Sequence, residues 1–473
     1  MRLDALLARL DDLTVSLLPP DAGETELVGV AHDTRELVPG ALFCCVPGAQ
    51  VDGHDLAVRA VELGASALLV ERPVGAGVPE IRVARVRDAL GPVSDAFWDH
   101  PSRSLRVIGV TGTSGKTTTT HLLAAVLEAH GWPTAVIGTL SGPRTTPEAP
   151  ELQGRLAAER DAGRAAVAME VSSHSLALGR VRSTRFSLAV FTNLSHDHLD
   201  FHHDMDEYFE AKAALFTPAY AQGAVVNLDD PRGRELADRA LVPTEGYSLD
   251  DVRELEVGST RSRFKWRGTS IELPMGGRFN VSNAVAAATA AARLGVQPDD
   301  IASGLATARP VPGRFEPIDA GQPFAVIVDY SHKPAALAGA LDAARSAAPS
   351  GRVILVVGAG GDRDASKRSQ MGEVAGRGAD RVLLTSDNPR GEDPLAIIAA
   401  VQAGIPDTAD VTVEPDRATA IALAIGEAQP GDVVLIAGKG HESVQIMGEH
   451  TIPFDDREVA RTALRVRRDG RGW

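Results

Sequence analysis

Gly112, Thr113, Ser114, Gly115, Lys116, Thr117 and Thr118 bring together two glycines, a lysine and four hydroxyls in seven residues. An apolar run (105–110) precedes them, and a helical pattern follows to about His130. Strand, glycine loop, helix is an order that suits a nucleotide phosphate. Glycines let backbone N–H groups approach the anion, and the new helix points its positive end at it. Lys116 then reaches the outer phosphates and the Thr117 hydroxyl ligates Mg²⁺. The generic pattern asks for glycine five residues before Gly115, where Val110 stands, with Gly109 one place too early. A glycine-rich turn before an ordinary helix is the alternative.

Other polar groups fall at the ends of apolar runs. Glu170 closes AAVAME (165–170), a position suited to an acid acting on the nucleotide's metal. Ser172, His174 and Arg180 cluster after it, and Thr145-Thr146-Pro147 lie in a polar loop. FSLAVFTNL runs into Ser195-His196-Asp197-His198-Leu199-Asp200, which reads either as a metal-holding cluster or as a polar loop. No HExxH spacing supports zinc. Lys212 lies in an amphipathic pattern (206–216) whose apolar face is Tyr208, Phe209, Leu215 and Phe216, so periodicity places it on the solvated side. Asn280 and Asn283 open an alanine-rich helix, which Asn280 could cap. Asp33-Thr34-Arg35 and the loop 48–53 lie at strand ends, as ligand contacts or as turn formers.

The elements that must position these groups follow from apolar periodicity. Residues 1–100 alternate short strands (ALFCCVPG, SALLVER) with helical patterns, after an amphipathic helix in MRLDALLARLDDL. TAVIGTL, AAVAME, FSLAVFTNL and GAVVNLD supply central strands. ARPVPGRFEP (308–317) carries three prolines and a glycine and reads as a linker. Beyond it FAVIVDY, RVILVVG, RVLLTS and DVVLIAG alternate with helices, predicting a doubly wound parallel sheet. The expected class is α/β in three domains: an N-terminal α/β unit (1–101), a central P-loop ATPase-like parallel-sheet unit (102–312) and a C-terminal Rossmann-like unit (313–473).

A chain of 473 residues with 48 basic and 63 acidic side chains carries a net −15, which argues against a nucleic-acid surface but not against small anions in local pockets. The two cysteines, Cys44 and Cys45, are adjacent and cannot staple a fold, so a reducing compartment is expected. With no signal-peptide pattern and no membrane-length apolar stretch, a soluble cytoplasmic protein is expected.

Taken in order, DTR, GTSGKTT, MEVSSH, TNLSHDHLDFH, YFEAKAALF, GRFNVSNAVAA, PGRFE, VDYSHKP, GGDRD, DNPR and AGKGHE resemble the Mur ligases over essentially the whole chain. The resemblance implies an ATP-dependent, amide-forming enzyme of peptidoglycan precursor synthesis, of the branch that adds the third residue to UDP-N-acetylmuramoyl-L-alanyl-D-glutamate. ATP would phosphorylate the D-glutamate side chain, and an amine would then displace phosphate. Gly112 to Thr118 would hold ATP, with Glu170 and His198 on Mg²⁺. Lys212 would become a carbamate by reaction with CO₂ and join the metal shell. Asn280 and Asn283 would lie near adenine, and Arg314 and Asp329 would meet the nucleotide from the C-terminal side. Thr34, Ala49, Gln50 and Val51 would contact the uridine end, and Thr145, Thr146, Ser172 and Arg180 the muramoyl-peptide end. Arg363, Asp387, Asn388, Pro389, Arg390, Gly438 and Glu442 would form the amino-acid pocket.

Pocket chemistry favours meso-diaminopimelate over lysine. Its far end carries an extra carboxylate and ammonium, which Arg390 and Glu442 match. The resemblance further implies a monomer with small-molecule partners. The chain departs from the family's usual strings at His196, where arginine is common, at Leu178, often a glutamine, and in SHKP for AHTP. A folylpolyglutamate synthetase-like ligase would begin close to its P-loop; here about 100 residues precede it. A nucleotide switch would release phosphate without an acceptor amine. A non-catalytic relative is disfavoured by Lys116, Glu170, His198 and Lys212 together.

Overall fold

The computed structural model describes residues 1–10, 13–48 and 50–470. Three large sheets, of five, six and six strands, succeed one another along the chain without interleaving. The first has the strand order Ser16–Leu18, Glu80–Arg82, Ala67–Val70, Leu42–Cys44, Val30–Ala31, antiparallel only at the Ser16–Leu18 edge. Its strands Ala67–Val70 and Leu42–Cys44 are buried throughout because helices cover both faces, Val86–Phe97 on one and Ala57–Glu62 on the other. Of the helix expected over the first thirteen residues, the described part forms Leu3–Leu7 only, and Asp11 and Asp12 lie outside the described residues. Tertiary contacts override its periodicity: Arg9 donates to the Ala96 carbonyl (3.2 Å) and the Asp99 carboxylate (2.9 Å), and the chain turns there.

The second sheet is wholly parallel, in the order Thr244–Tyr247, Ala224–Asn227, Leu188–Phe191, Arg106–Thr111, Ala166–Glu170, Thr134–Ile137. Arg106–Thr111 sits between a strand that ends at Glu170 and one that ends at Phe191 and runs on into Thr192-Asn193, with Val110 paired to Glu170 and Thr111 to Phe191. The glycine loop therefore leaves the sheet between Glu170 and Thr192-Asn193. Helix Lys116–Ala129 is sandwiched against the alanine-rich Arg278–Arg293 helix, whose small side chains permit close packing, and against Pro298–Ala306. A three-stranded antiparallel sheet (Val252–Val257, Ser262–Trp266, Thr269–Leu273), not anticipated from the sequence, lays Phe264, Trp266, Ile271 and Leu273 on the same core.

The third sheet runs Glu316–Pro317, Ala325–Asp329, Val433–Ala437, Val353–Val357, Arg381–Leu384, Val411–Val413 and is parallel except at the Glu316–Pro317 edge. Apolar clusters on both faces make it doubly wound, as expected. Among the described residues no helix is long and apolar enough to cross a membrane.

Candidate active site

The loop after Arg106–Thr111 is held from beneath by the neighbouring strand end. The Ser114 N–H donates to Asn193 Oδ1 (2.9 Å), the Thr113 N–H to the Asn193 carbonyl (2.9 Å), and Thr192 Oγ1 to the Ser114 carbonyl (2.6 Å). Gly112 and Gly115 have φ of +145° and +83°. A Cβ on Gly112 would lie 1.9 Å from Thr192 Oγ1, and one on Gly115 would lie 2.4 Å from Asn283 Oδ1. Both the backbone conformation and the lack of space therefore demand glycine. Lys116 curls back to donate to the Gly112 and Thr113 carbonyls (2.9 and 3.0 Å). Burial, then the nearby Lys333 charge, lowers its pKa to about 8, so the site calls for an anion.

A cleft of about 510 Å³ opens over this loop. Its lining includes Thr113 to Thr118, Thr145, Glu170, His198 and Asn283 from the central segment, and Arg314, Asp329 and Lys333 from the C-terminal one. Thr117 Oγ1 donates to Glu170 Oε2 (3.0 Å), and the Thr139 N–H donates to Glu170 Oε1 (2.8 Å). Arg314 donates to Thr117 Oγ1 (3.2 Å) and stacks over the Tyr330 ring at 4.5 Å. Asp329 accepts from the Phe315 N–H (2.7 Å), and burial raises its pKa. His198, at φ +55°, has its Nε2 2.9 Å from Asp197 Oδ2.

Lys212 corrects the solvated-face reading. It is 1% exposed, donates to the Gly112 carbonyl (3.0 Å) and lies 4.5 Å above the Tyr208 ring. Helical periodicity puts Tyr208 and Lys212 one turn apart on one face, and the P-loop covers that face. Burial, then the charges of Lys116 and Lys333, drives its pKa well below the ordinary lysine value. Asn280 is also corrected: Gly277 caps the Arg278–Arg293 helix, and the Asn280 amide instead donates to the Gly276 carbonyl (2.8 Å). Asn283 donates to Asn280 Oδ1 (3.4 Å).

The residues assigned to the muramoyl-peptide end converge beside Glu170. Thr146 Oγ1 donates to the Glu170 carbonyl (2.9 Å), and Thr145 Oγ1 lies 3.0 Å from Thr139 Oγ1. Arg180 pairs with Glu148 (2.8 Å), while Ser172 caps the short Ser173–Ala177 helix by accepting from the Ser175 N–H (3.1 Å). The uridine group lies apart on the first unit. Thr34 is in a turn, Gln50 and Val51 are exposed, and Ala49 lies outside the described residues. In the C-terminal unit Asn388 donates to Glu442 Oε2 (2.6 Å) and accepts from the Ile446 N–H (2.9 Å). Arg390, at φ +51°, donates to the Gly361 carbonyl (2.8 Å). Asp387 and Gly438 are in contact, such that a Cβ on Gly438 would fall 2.5 Å from Asp387 Oδ2, and Pro389 is buried. Arg363 is exposed.

Sequence reasoning missed Asn193, Lys333 and Lys439. Lys439 is fully buried and donates to Asn388 Oδ1 (3.2 Å) and the Val444 carbonyl (2.6 Å), fixing the amide that meets Glu442. Each stands inside a string already singled out (TNLSHDHLD, VDYSHKP, AGKGHE), so position carried the signal and residue type did not.

A glycine loop between parallel strand ends, facing a second α/β sheet across a cleft lined with cations and acids, defines a P-loop nucleotide-dependent enzyme. Family profiles agree: Mur ligase middle domain over 110–291, Mur ligase, glutamate ligase domain over 313–440, and Mur ligase family, catalytic domain over 26–98. The chain belongs to the Mur ligase family. It is 45% identical to a UDP-N-acetylmuramoyl-L-alanyl-D-glutamate--2,6-diaminopimelate ligase of Streptomyces coelicolor, over 97% of this chain and 96% of that one. A solved structure of a ligase of the same description is 30% identical, with a TM-score of 0.69 over 99% of both chains. The MurF ligase of Thermotoga maritima, solved in complex with ADP, shares the fold at 21% identity, with a TM-score of 0.65 over 88% of this chain and 94% of that one.

Proposed function

We propose that the chain is an ATP-dependent ligase joining 2,6-diaminopimelate to the D-glutamate side-chain carboxylate of UDP-N-acetylmuramoyl-L-alanyl-D-glutamate. The carrying observation is identity of 45% to a ligase of that description along almost the whole chain, with the P-loop intact over its cleft. Residues 1–101 hold the UDP end, 102–312 the nucleotide and 313–473 the amino acid, and the enzyme works as a cytoplasmic monomer on soluble substrates. Gly112 to Thr118 cradle the phosphates, Asn280 and Asn283 stand toward the adenine, and Arg314 and Asp329 close on the nucleotide from the other lobe. The carboxylate attacks the terminal phosphorus, ADP departs with the electron pair of the broken P–O bond, and the amine then displaces phosphate from the acyl phosphate. A cleft walled by two lobes keeps water from that intermediate.

The donor set fits Mg²⁺. Thr117 and Glu170 present adjacent oxygens, the hard ligands this ion takes, and His198 stands in the same cleft. When bound, the ion offsets phosphate charge. Lys212 repels a cation while protonated, but burial favours its neutral amine. That amine can add to CO₂ and lose a proton, turning into an anionic oxygen ligand. For the amino acid, Arg390 offers a guanidinium to the distal carboxylate, and Glu442, steered by Asn388 and Lys439, a carboxylate to the distal ammonium. The test is ADP release with a panel of amino acids and the UDP-dipeptide. Turnover is expected to require both the UDP-dipeptide and diaminopimelate. Equal turnover with lysine would reject the roles of Arg390 and Glu442.

A further inference from the structure

Lys333 belongs to VDYSHKP, a string of which the nucleotide reading uses only Asp329. It immediately precedes the Pro334–Ala347 helix in the C-terminal lobe, yet its side chain is only 13% exposed. Its ammonium is ion-paired to Asp197, which follows the Leu188–Phe191 strand of the central lobe. A charge pair thus links the two lobes beside the cleft that Lys333 shares with Thr113 to Thr118, Glu170 and Arg314.

An interdomain brace would need no more than that pair, but two features go further. Asp197 is shared: Oδ2 also lies 2.9 Å from His198 Nε2, so the lysine's only ion-pair partner among the described residues is already engaged. Moreover, Lys116, Arg314 and Lys333 converge on one lining, and Lys333 is the like charge that Lys116 feels most strongly. Three cations, of which only Lys333 is ion-paired among the described residues, repel one another until a multiply charged anion enters. A nucleoside triphosphate is such an anion, and its outer phosphates belong where Lys116 is.

We propose that Lys333 is a second cation for the transferred phosphoryl group, delivered from the C-terminal lobe, with Asp197 holding its place until nucleotide arrives. This rests on the ligase reading above. In the first step a carboxylate oxygen forms a bond to the terminal phosphorus, and the bond from phosphorus to the bridging oxygen breaks, its electron pair leaving on ADP. No proton moves. Charge spreads over the phosphoryl oxygens and the leaving oxygen, and Lys116 and Lys333 meet it from the two lobes. Because one cation comes from the far lobe, ATP is cleaved only when the lobes are together, which suppresses idle hydrolysis.

The test is rapid-quench ADP formation with limiting ATP and both co-substrates, alongside calorimetric ADP affinity. Lys333→Thr and Lys333→Met are expected to slow ADP formation about 100-fold. ADP affinity should change less than about threefold, since ADP lacks the transferred group. Lys333→Arg should recover most of the rate. Lys333→Cys should be inactive until alkylated with 2-bromoethylamine, which restores an ammonium of nearly lysine length; the native Cys44 and Cys45 are buried. This rescue separates charge from folding. A Lys333→Thr rate within about threefold of the parent, or a Lys333→Cys protein that binds ADP but is not revived by alkylation, would overturn the proposal. No ADP from the parent enzyme would instead defeat the ligase reading.

Discussion

Lys212 is a buried amine with no carboxylate partner among the described residues, held over an aromatic ring and against a carbonyl of the P-loop. Such a group is costly as an ammonium and reactive as a free base. Under ¹³C-bicarbonate the parent should show a carbamate resonance that Lys212→Ala lacks. That variant should lose at least about 100-fold in turnover, with partial recovery in excess bicarbonate or a small carboxylate. Full activity without rescue would remove Lys212 from the metal shell. At the amino-acid end, Asn388 and Lys439 both meet Glu442 on Oε2, which leaves Oε1, touched among the described residues only by the Tyr330 hydroxyl at 3.5 Å, to face a ligand ammonium. Glu442→Gln should raise the KM for diaminopimelate by about tenfold or more while leaving that for ATP alone. Equal shifts in both constants would mean a general loosening.

The glycine loop and its helix act as one element, because the positive φ of Gly115 starts the Lys116–Ala129 helix against Asn283. Gly115→Ala forces a Cβ to 2.4 Å from Asn283 Oδ1 in a left-handed conformation. It should cost about 1–3 kcal/mol and weaken ADP binding, read by thermal shift and calorimetry. Undiminished affinity would show that the loop can be rebuilt. In the C-terminal sheet, the Arg417–Asp456 pair (2.7 Å), with both side chains at 0% exposure, ties the Arg417–Glu427 helix to Asp456–Arg468. Asp456→Ala strands the guanidinium and should destabilise this unit by about 3–5 kcal/mol in urea titration. A change within experimental error would mean that the arginine finds another partner.

Across the whole molecule, acid should be more damaging than the modest charge balance suggests. Burial, then the charges of Arg314 and Arg457, lowers His441 to about 4, whereas an exposed histidine in the unfolded chain titrates near about 6.5. Between those values the unfolded state binds the extra proton. Stability is therefore full above about pH 6.5 and falls as the pH drops toward 4. The melting temperature should decline over that interval, and His441→Gln should flatten the decline. An unchanged slope would assign the acid sensitivity to other groups.

Much of this was legible before folding. The strand–loop–helix around Lys116 and the strand ending in Glu170 are local: six or so apolar residues, two glycines and a helix start specify themselves within one stretch of chain. Long apolar runs likewise announced the parallel sheets, since a strand buried on both faces can carry little else. What lay beyond reach were relations between distant segments. Lys212 looked solvated because periodicity sees one helix and not the P-loop lying over it, 100 residues away in the chain. Asn280 looked like a cap because the sequence does not show that Gly277 turns the chain first. Lys333 and Asp197 are unremarkable lysine and aspartate in isolation. Only the meeting of two lobes makes them partners, because electrostatic pairing depends on separation in space, and the chain's connectivity leaves that separation open until the sheets have packed.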